Sequence, residues 1–262
     1  MLEASSLRKT FFPGSPDEKK ALDGVDLSME RGDFCVVIGS NGAGKTCLLN
    51  VISGNLIPDS GRVVIGGKDV SRLAVHKRAP YLARVFQDPM AGTAASMTVA
   101  ENLLLADLRG KPKRLRAGLT SKRRKDYRER LSLLGLGLED RLDTPVQLLS
   151  GGQRQSLALI MAVSNSPQVL LLDEHTAALD PRTAEIVLQA TVSTVEHYHL
   201  TTIMVTHNMQ HAVDYGNRII MMAAGKIKLM IQGKEKEKVT VTDLIARFSV
   251  KDDRMLLRSQ ND

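Results

Sequence analysis

Unbroken apolar runs and amphipathic stretches alternate along the chain. Phe34 to Ile38, Val169 to Leu172 and Thr202 to Val205 are short and continuous, as strands buried on both faces require. A glycine-rich turn after the first run leads into an apolar helix from about Lys45 to Ser53. Residues from about Asp88 to Ser166 read as mostly helical, with Thr98 as the N-cap of Val99-Ala-Glu-Asn-Leu-Leu-Leu. A helix from Thr183 to Glu196 separates the last two strands. This order predicts an α/β fold with parallel strands and a helical insertion. The chain opens β-rich. It closes with strand-like runs at Ile219 to Met222 and Ile227 to Ile231, a charged turn at Lys234 to Lys238 and a short helix near Leu244. The polar tail from Lys251 is expected to be disordered.

Composition narrows the class. With 43% hydrophobic and 25% charged residues among 262, the chain is that of an ordinary globular protein. Its longest apolar runs, such as Ile219 to Ala224, are strand-sized and too short to span a bilayer. The N-terminal Met-Leu-Glu-Ala-Ser-Ser has no basic-then-apolar pattern, so a cytosolic location is expected. There, Cys35 and Cys47 are read as buried small side chains and not as a disulfide. His197 and His199, flanking Tyr198 without a partnering Cys or acid cluster, are read as surface residues and not zinc ligands.

The net charge of +7 is a local matter. Arg109 to Arg130 holds eleven basic residues against Asp126 and Glu129, a local excess of +9, so the rest of the chain is slightly acidic. Only Tyr127 is available there for base stacking, which argues against nucleic acid. A solvated helix face and an attraction to an anionic membrane leaflet both remain open for this segment.

Two motifs carry chemistry. Gly39-Ser-Asn-Gly-Ala-Gly-Lys45-Thr46 fits the phosphate-binding G-x-x-x-x-G-K-[ST] loop and lies, as it must, between a strand and a helix. Its glycines let backbone N–H groups face phosphate oxygens at the positive end of the helix. Lys45 would reach the β and γ phosphates and Thr46 would ligate Mg²⁺. The strand Val169 to Leu172 ends in Asp173 and Glu174; the first can hold Mg²⁺ through water, and the second can polarise an attacking water as general base. These motifs alone leave kinases, GTPases, helicases and transport ATPases open.

Leu149-Ser150-Gly151-Gly152-Gln153 resembles the signature sequence of ABC ATPases and precedes the acidic strand, as in that family. Gln87 looks like the family's Q-loop residue, which reaches Mg²⁺ or the attacking water. Ala177 to Asp180 resembles the D-loop, and His207 the switch histidine that contacts the γ-phosphate. The resemblance runs from about residue 5 to 248. It implies a P-loop NTPase of the ABC ATPase fold: an N-terminal antiparallel β subdomain, a RecA-like parallel-sheet core and an inserted α-helical subdomain at about 88–166. All lie in a single domain of residues 1–250, with 251–262 as tail.

The resemblance also implies a site: Lys45, Gln87, Glu174 and His207 in catalysis; Thr46, Gln87 and Asp173 on Mg²⁺; and ATP held by Gly39, Ser40, Asn41, Gly42, Ala43, Gly44, Lys45, Thr46 and Cys47. Ser150, Gly151, Gly152, Gln153 and Asp180 would serve ATP across a dimer with a second copy. An aromatic residue usually stacks on adenine, and Phe11 is favoured over Phe12. His175 departs from the family, where many relatives have Pro after the catalytic Glu. The implied partners are integral membrane permease subunits and, indirectly, an extracytoplasmic binding protein, with the chain peripheral on the inner face of the cell membrane. Stretches such as Asp173-Glu-His-Thr-Ala-Ala-Leu-Asp-Pro look like the ATPase subunits of bacterial tryptophan/tyrosine-type importers. A soluble ABC ATPase and an exporter subunit are the competing readings. With few residues after Phe248, control through an added C-terminal domain is not expected.

Overall fold

The computed structural model describes residues 1–111 and 118–247. The tail expected from Lys251, and residues 112–117 of the basic segment, lie outside the described residues. Along the described residues the elements follow in order: β1 (Leu2–Phe11), β2 (Lys19–Met29), β3 (Phe34–Ile38), α1 (Lys45–Ser53), β4 (Ser60–Ile65), β5 (Lys68–Asp69), α2 (Val75–Arg78), β6 (Leu82–Val85), α3 (Val99–Leu108), α4 (Ser121–Ser132), α5 (Gly151–Val163), β7 (Val169–Asp173), α6 (Pro181–His197), β8 (Thr201–Val205), α7 (Met209–Asp214), β9 (Arg218–Ala223) and β10 (Lys226–Gln232). Residues 241–247 are also helical.

The strands form an antiparallel sheet of order β2-β1-β4-β5 and a six-stranded sheet of order β10-β9-β3-β8-β7-β6. The second is parallel from β9 to β6, and β10 closes its edge antiparallel to β9. Successive side chains of a strand point to opposite faces, so each buried strand feeds two cores. Phe34, Val36 and Ile38 pack with α3, α5 and α6, as do Leu170 and Leu172. Cys35, Val37, Val169 and Leu171 pack on the other face with α1 and the antiparallel sheet. That alternation requires continuous apolar runs in β3 and β7. Each fully buried aliphatic side chain there contributes roughly 1.5–3 kcal/mol.

Three strands were not anticipated from the apolar pattern: β4, β5 and β6. β6 carries Arg84 between Ala83 and Val85, and the charge breaks the run. Cys35 is fully buried, which pushes its thiol up to about 12. Cys47, expected to be buried, is only half-buried because it lies where α1 opens onto a surface cavity. Both thiols are free.

Between β6 and β7 the chain builds the helical region. Thr98 caps α3 through a capping box with Glu101. In α4 much of the basic charge is tied within the protein. Arg124 forks onto Asp143 at 3.0 and 2.6 Å, and Arg130 bridges Asp107 and Asp126 at 3.0 and 2.6 Å. Lys122, Lys125 and Arg128 remain on the exposed face. His197 and His199 are exposed. Among the described residues, no helix is long and apolar enough to cross a membrane.

Arg78, fully buried, holds the far end of α1. Its guanidinium donates to the carbonyl oxygens of Val51 (2.7 Å) and Ile52 (2.8 Å) in the last turn, and to those of Leu73 and Ser71. A cation there adds donors to the carbonyls that end the helix and complements the negative end of the helix. Arg78→Met fills the space but leaves four buried acceptors short of donors. It should destabilise the fold by about 3 kcal/mol or more, seen as a lowered urea midpoint at unchanged slope. An unchanged midpoint would remove Arg78 from this role.

Candidate nucleotide site

The loop between β3 and α1 wraps around the Lys45 ammonium, which donates to the carbonyl oxygens of Gly39 (2.8 Å) and Ser40 (3.1 Å). Lys45 is 6% exposed, and burial lowers its pKa. Such a wrap needs left-handed backbone at Gly42 (φ 81°) and Gly44 (φ 104°). It also needs bare α-carbons, because a Cβ on Gly39 would collide with the Met222 carbonyl of β9, and one on Gly44 with the Ala21 carbonyl of β2. Both sheets therefore clamp the loop.

A cavity of about 410 Å³ opens above it, lined by Phe11, Lys19, Ala21, Asn41, Gly42, Ala43, Gly44, Lys45, Thr46, Cys47, Gln87, Asp173 and Glu174. Phe11 is at its rim, whereas Phe12 is 67% exposed and does not line it. Lys19 escaped the sequence reading. It reaches the cavity because β1 and β2 pair Phe11 with Lys19, a register that no local motif announces.

Arg84 was missed too. Its guanidinium meets Asp173 Oδ2 at 2.5 Å and Asn50 Oδ1 of α1 at 2.6 Å, so three elements are tied beneath the cavity. Period-two alternation places Arg84 and Asp173 on the α1 face of the sheet. The other Asp173 oxygen is not in that pair. Thr46, Gln87 and Asp173 thus offer a hydroxyl, an amide and a carboxylate to one cavity, an oxygen donor set that suits Mg²⁺. Among the described residues no group of three or more His, Cys, Asp and Glu could hold a metal alone.

Glu174 leaves β7 in the left-handed region at φ 44°, a strained state for a residue with a side chain, on the order of 1–3 kcal/mol. Its N–H donates to Val205 of β8 at 3.0 Å, and its carbonyl accepts from Ala177 at 2.9 Å. His207, at the end of β8 and largely exposed, has Nδ1 3.8 Å from Glu174 Oε2. Glu174, His207 and the segment from His175 to Leu179 line a second cavity of about 370 Å³ beside the first. His175 is buried there, and burial depresses its pKa to about 4.

The signature residues lie apart. Ser150 is the exposed N-cap of α5, and its hydroxyl accepts from the Gln153 N–H at 3.3 Å. The Gln153 side chain is engaged locally: its oxygen accepts from the Ser150 N–H and from Arg141, and its amide donates to the Leu136 carbonyl. A Cβ on Gly152 would strike Thr183 of α6, so this turn is packed against the segment that carries Asp180. Asp180 caps α6 by accepting from the Thr183 N–H at 3.1 Å. None of Ser150, Gly151, Gly152, Gln153 and Asp180 lines the cavity above the phosphate loop. Gln155 of α5 donates to the Phe86 carbonyl at 3.1 Å and so steadies the backbone next to Gln87.

Comparison with known proteins agrees with this architecture. A sequence profile described as "ABC transporter" matches residues 22–177. A tyrosine transport ATP-binding protein of Clostridioides difficile is 44% identical over 95% of this chain and 98% of its own length. A methionine import ATP-binding protein of Enterococcus faecalis is 34% identical over 87% of this chain and 64% of its own. Among solved structures, an ATP-binding cassette of an ABC transporter in its ADP conformation matches with a TM-score of 0.77, at 26% identity over 95% of this chain and 98% of that one. A dimeric cassette in a post-hydrolysis state, bound to ADP and phosphate, matches with a TM-score of 0.74, at 27% identity over 88% of this chain and 98% of that one. The chain belongs to the ABC transporter family, as an ATP-binding, ATP-hydrolysing subunit.

Proposed function

We propose that this subunit drives a bacterial importer of amino acids or related small molecules, working as a pair of identical chains on the inner face of the membrane beneath separate permease subunits. One observation carries the reading. The phosphate loop, Gln87, Asp173 and Glu174 share a cavity, while the donor-rich N-terminus of α5 stands exposed outside it. A second copy would supply Ser150, Gly151 and Gly152 to the γ-phosphate, and Asp180 would lie at the same interface. The dimeric relative bound to ADP and phosphate supports this arrangement. The tyrosine-transport and methionine-import relatives support the direction and the class of cargo. On this reading an extracytoplasmic binding protein delivers that cargo.

Within the site, Lys45 and the loop N–H groups hold the β and γ phosphates, and Phe11 stacks on adenine. Thr46, Gln87 and Asp173 would hold Mg²⁺, which when bound neutralises phosphate charge. Glu174 orients and deprotonates the attacking water, and His207 steadies the γ-phosphate beside it. Catalysis is then mostly positioning and charge stabilisation. A groove of about 280 Å³ below the Gln87 loop, lined by residues including Phe86, Asp88, Leu105, Arg109 and Met161, faces outward between the sheet and the helical region. It would receive the permease, so movement there reaches Gln87 directly.

Glu174→Gln should bind ATP normally yet hydrolyse it at least about a hundredfold more slowly, the loss expected for a general base; unchanged turnover would dismiss Glu174. Lys45→Ala should lose nucleotide binding by equilibrium titration, and normal affinity would contradict the phosphate cradle. Tagged Glu174→Gln protein captured from detergent-solubilised native membranes with MgATP should bring a stoichiometric polytopic partner. Recovery of soluble partners alone would favour a non-transport ATPase.

A further inference from the structure

The strained conformation of Glu174 has to be imposed by its surroundings, because a residue with a Cβ leaves the left-handed region when free to do so. Two backbone hydrogen bonds constrain it, to Val205 and from Ala177. A third restraint comes from the next side chain. His175 is 2% exposed, and its Nε2 lies 3.0 Å from Thr191 Oγ1 in the middle of α6. The single proton of the Thr191 hydroxyl is directed to the Val187 carbonyl at 2.7 Å, so the hydroxyl must accept from His175. The imidazole therefore donates through its Nε2–H. It pins the chain one residue beyond Glu174 to the helix that Asp180 caps.

We propose that His175 is a positioning residue: through Thr191 it fixes Glu174 against α6 and sets the aim of the Glu174 carboxylate. A proline at this point would restrict its own φ angle, but it has no donor to reach α6. In this chain the aim of the carboxylate thus depends on a side-chain hydrogen bond. The proposal rests on Glu174 being the general base.

The test uses the full-length chain with His175→Leu, His175→Gln, Thr191→Val and the His175→Leu/Thr191→Val double variant, and Glu174→Gln alongside. Steady-state ATP turnover and fluorescent-nucleotide affinity are read for each. His175→Leu should lower kcat about tenfold or more, since small misplacements of a reacting group are costly, with nucleotide affinity within about twofold. Thr191→Val, which removes the hydroxyl and leaves His175 in place, should match it, and it carries the test should His175→Leu fail to fold. His175→Gln keeps an N–H donor and should restore most of the turnover. The double variant should be no slower than either single one, because both remove the same interaction. Parental kcat in His175→Leu and Thr191→Val, while Glu174→Gln is inactive, would overturn the proposal and leave the base in place. So would a glutamine variant as slow as the leucine one, or losses that multiply in the double variant. An active Glu174→Gln would instead remove the reading beneath it.

Discussion

A loop that presents backbone N–H groups to an anion must be held open before the anion arrives, and the rest of this structure depends on that constraint. The loop cannot hold itself: its glycines are permissive and its lysine is buried. Lys45 is kept in place by two carbonyls of its own loop. The loop in turn is pressed between the Met222 carbonyl on β9 and the Ala21 carbonyl on β2. The antiparallel sheet is thus part of the proposed phosphate site, because β2 is one wall of the clamp. Arg78 does for the far end of α1 what phosphate would do for the near end, so both termini of this helix meet opposite charge.

The polar belt under the cavity follows from the same need. Asp173 ends a fully buried strand, and a carboxylate there requires a partner. Arg84 provides it from β6, two residues along and on the same face, and reaches Asn50 on α1 as well. Three residues beyond Arg84 the chain arrives at Gln87. One guanidinium therefore links the phosphate helix, the strand bearing the acidic pair and the entry to the helical region. Rigid support of this kind is what positional catalysis demands.

Much of this was legible in the sequence, and the rest was hidden for physical reasons. β3, β7 and β8 announce themselves because both their faces are buried, leaving no polar position to blur the run. β6 does not, because its one charged residue is satisfied by partners 34 and 89 positions away. The motif residues were found because their chemistry is written in contiguous spacing. Lys19 joins the cavity through hairpin register, and Arg78 caps a helix far from itself in sequence; neither fact has a local signature. His175 could be marked as a departure from its relatives, but its bond to Thr191 appears only when α6 is packed on the sheet. The composition of the basic stretch leaves both solvent and lipid open, and the structure spends two of its charges, Arg124 and Arg130, on Asp107, Asp126 and Asp143.

On the proposed function, one chain holds only half of a working site, and ATP itself joins two halves. Sedimentation of the Glu174→Gln chain, with and without MgATP, tests it most directly. The account predicts a shift from the 28.7 kDa mass of one chain to twice that mass when ATP is present. It also predicts that this shift is lost when Ser150 is replaced by a bulky residue that leaves ATP binding intact. A chain saturated with ATP that still sediments at the mass of a single copy would contradict it.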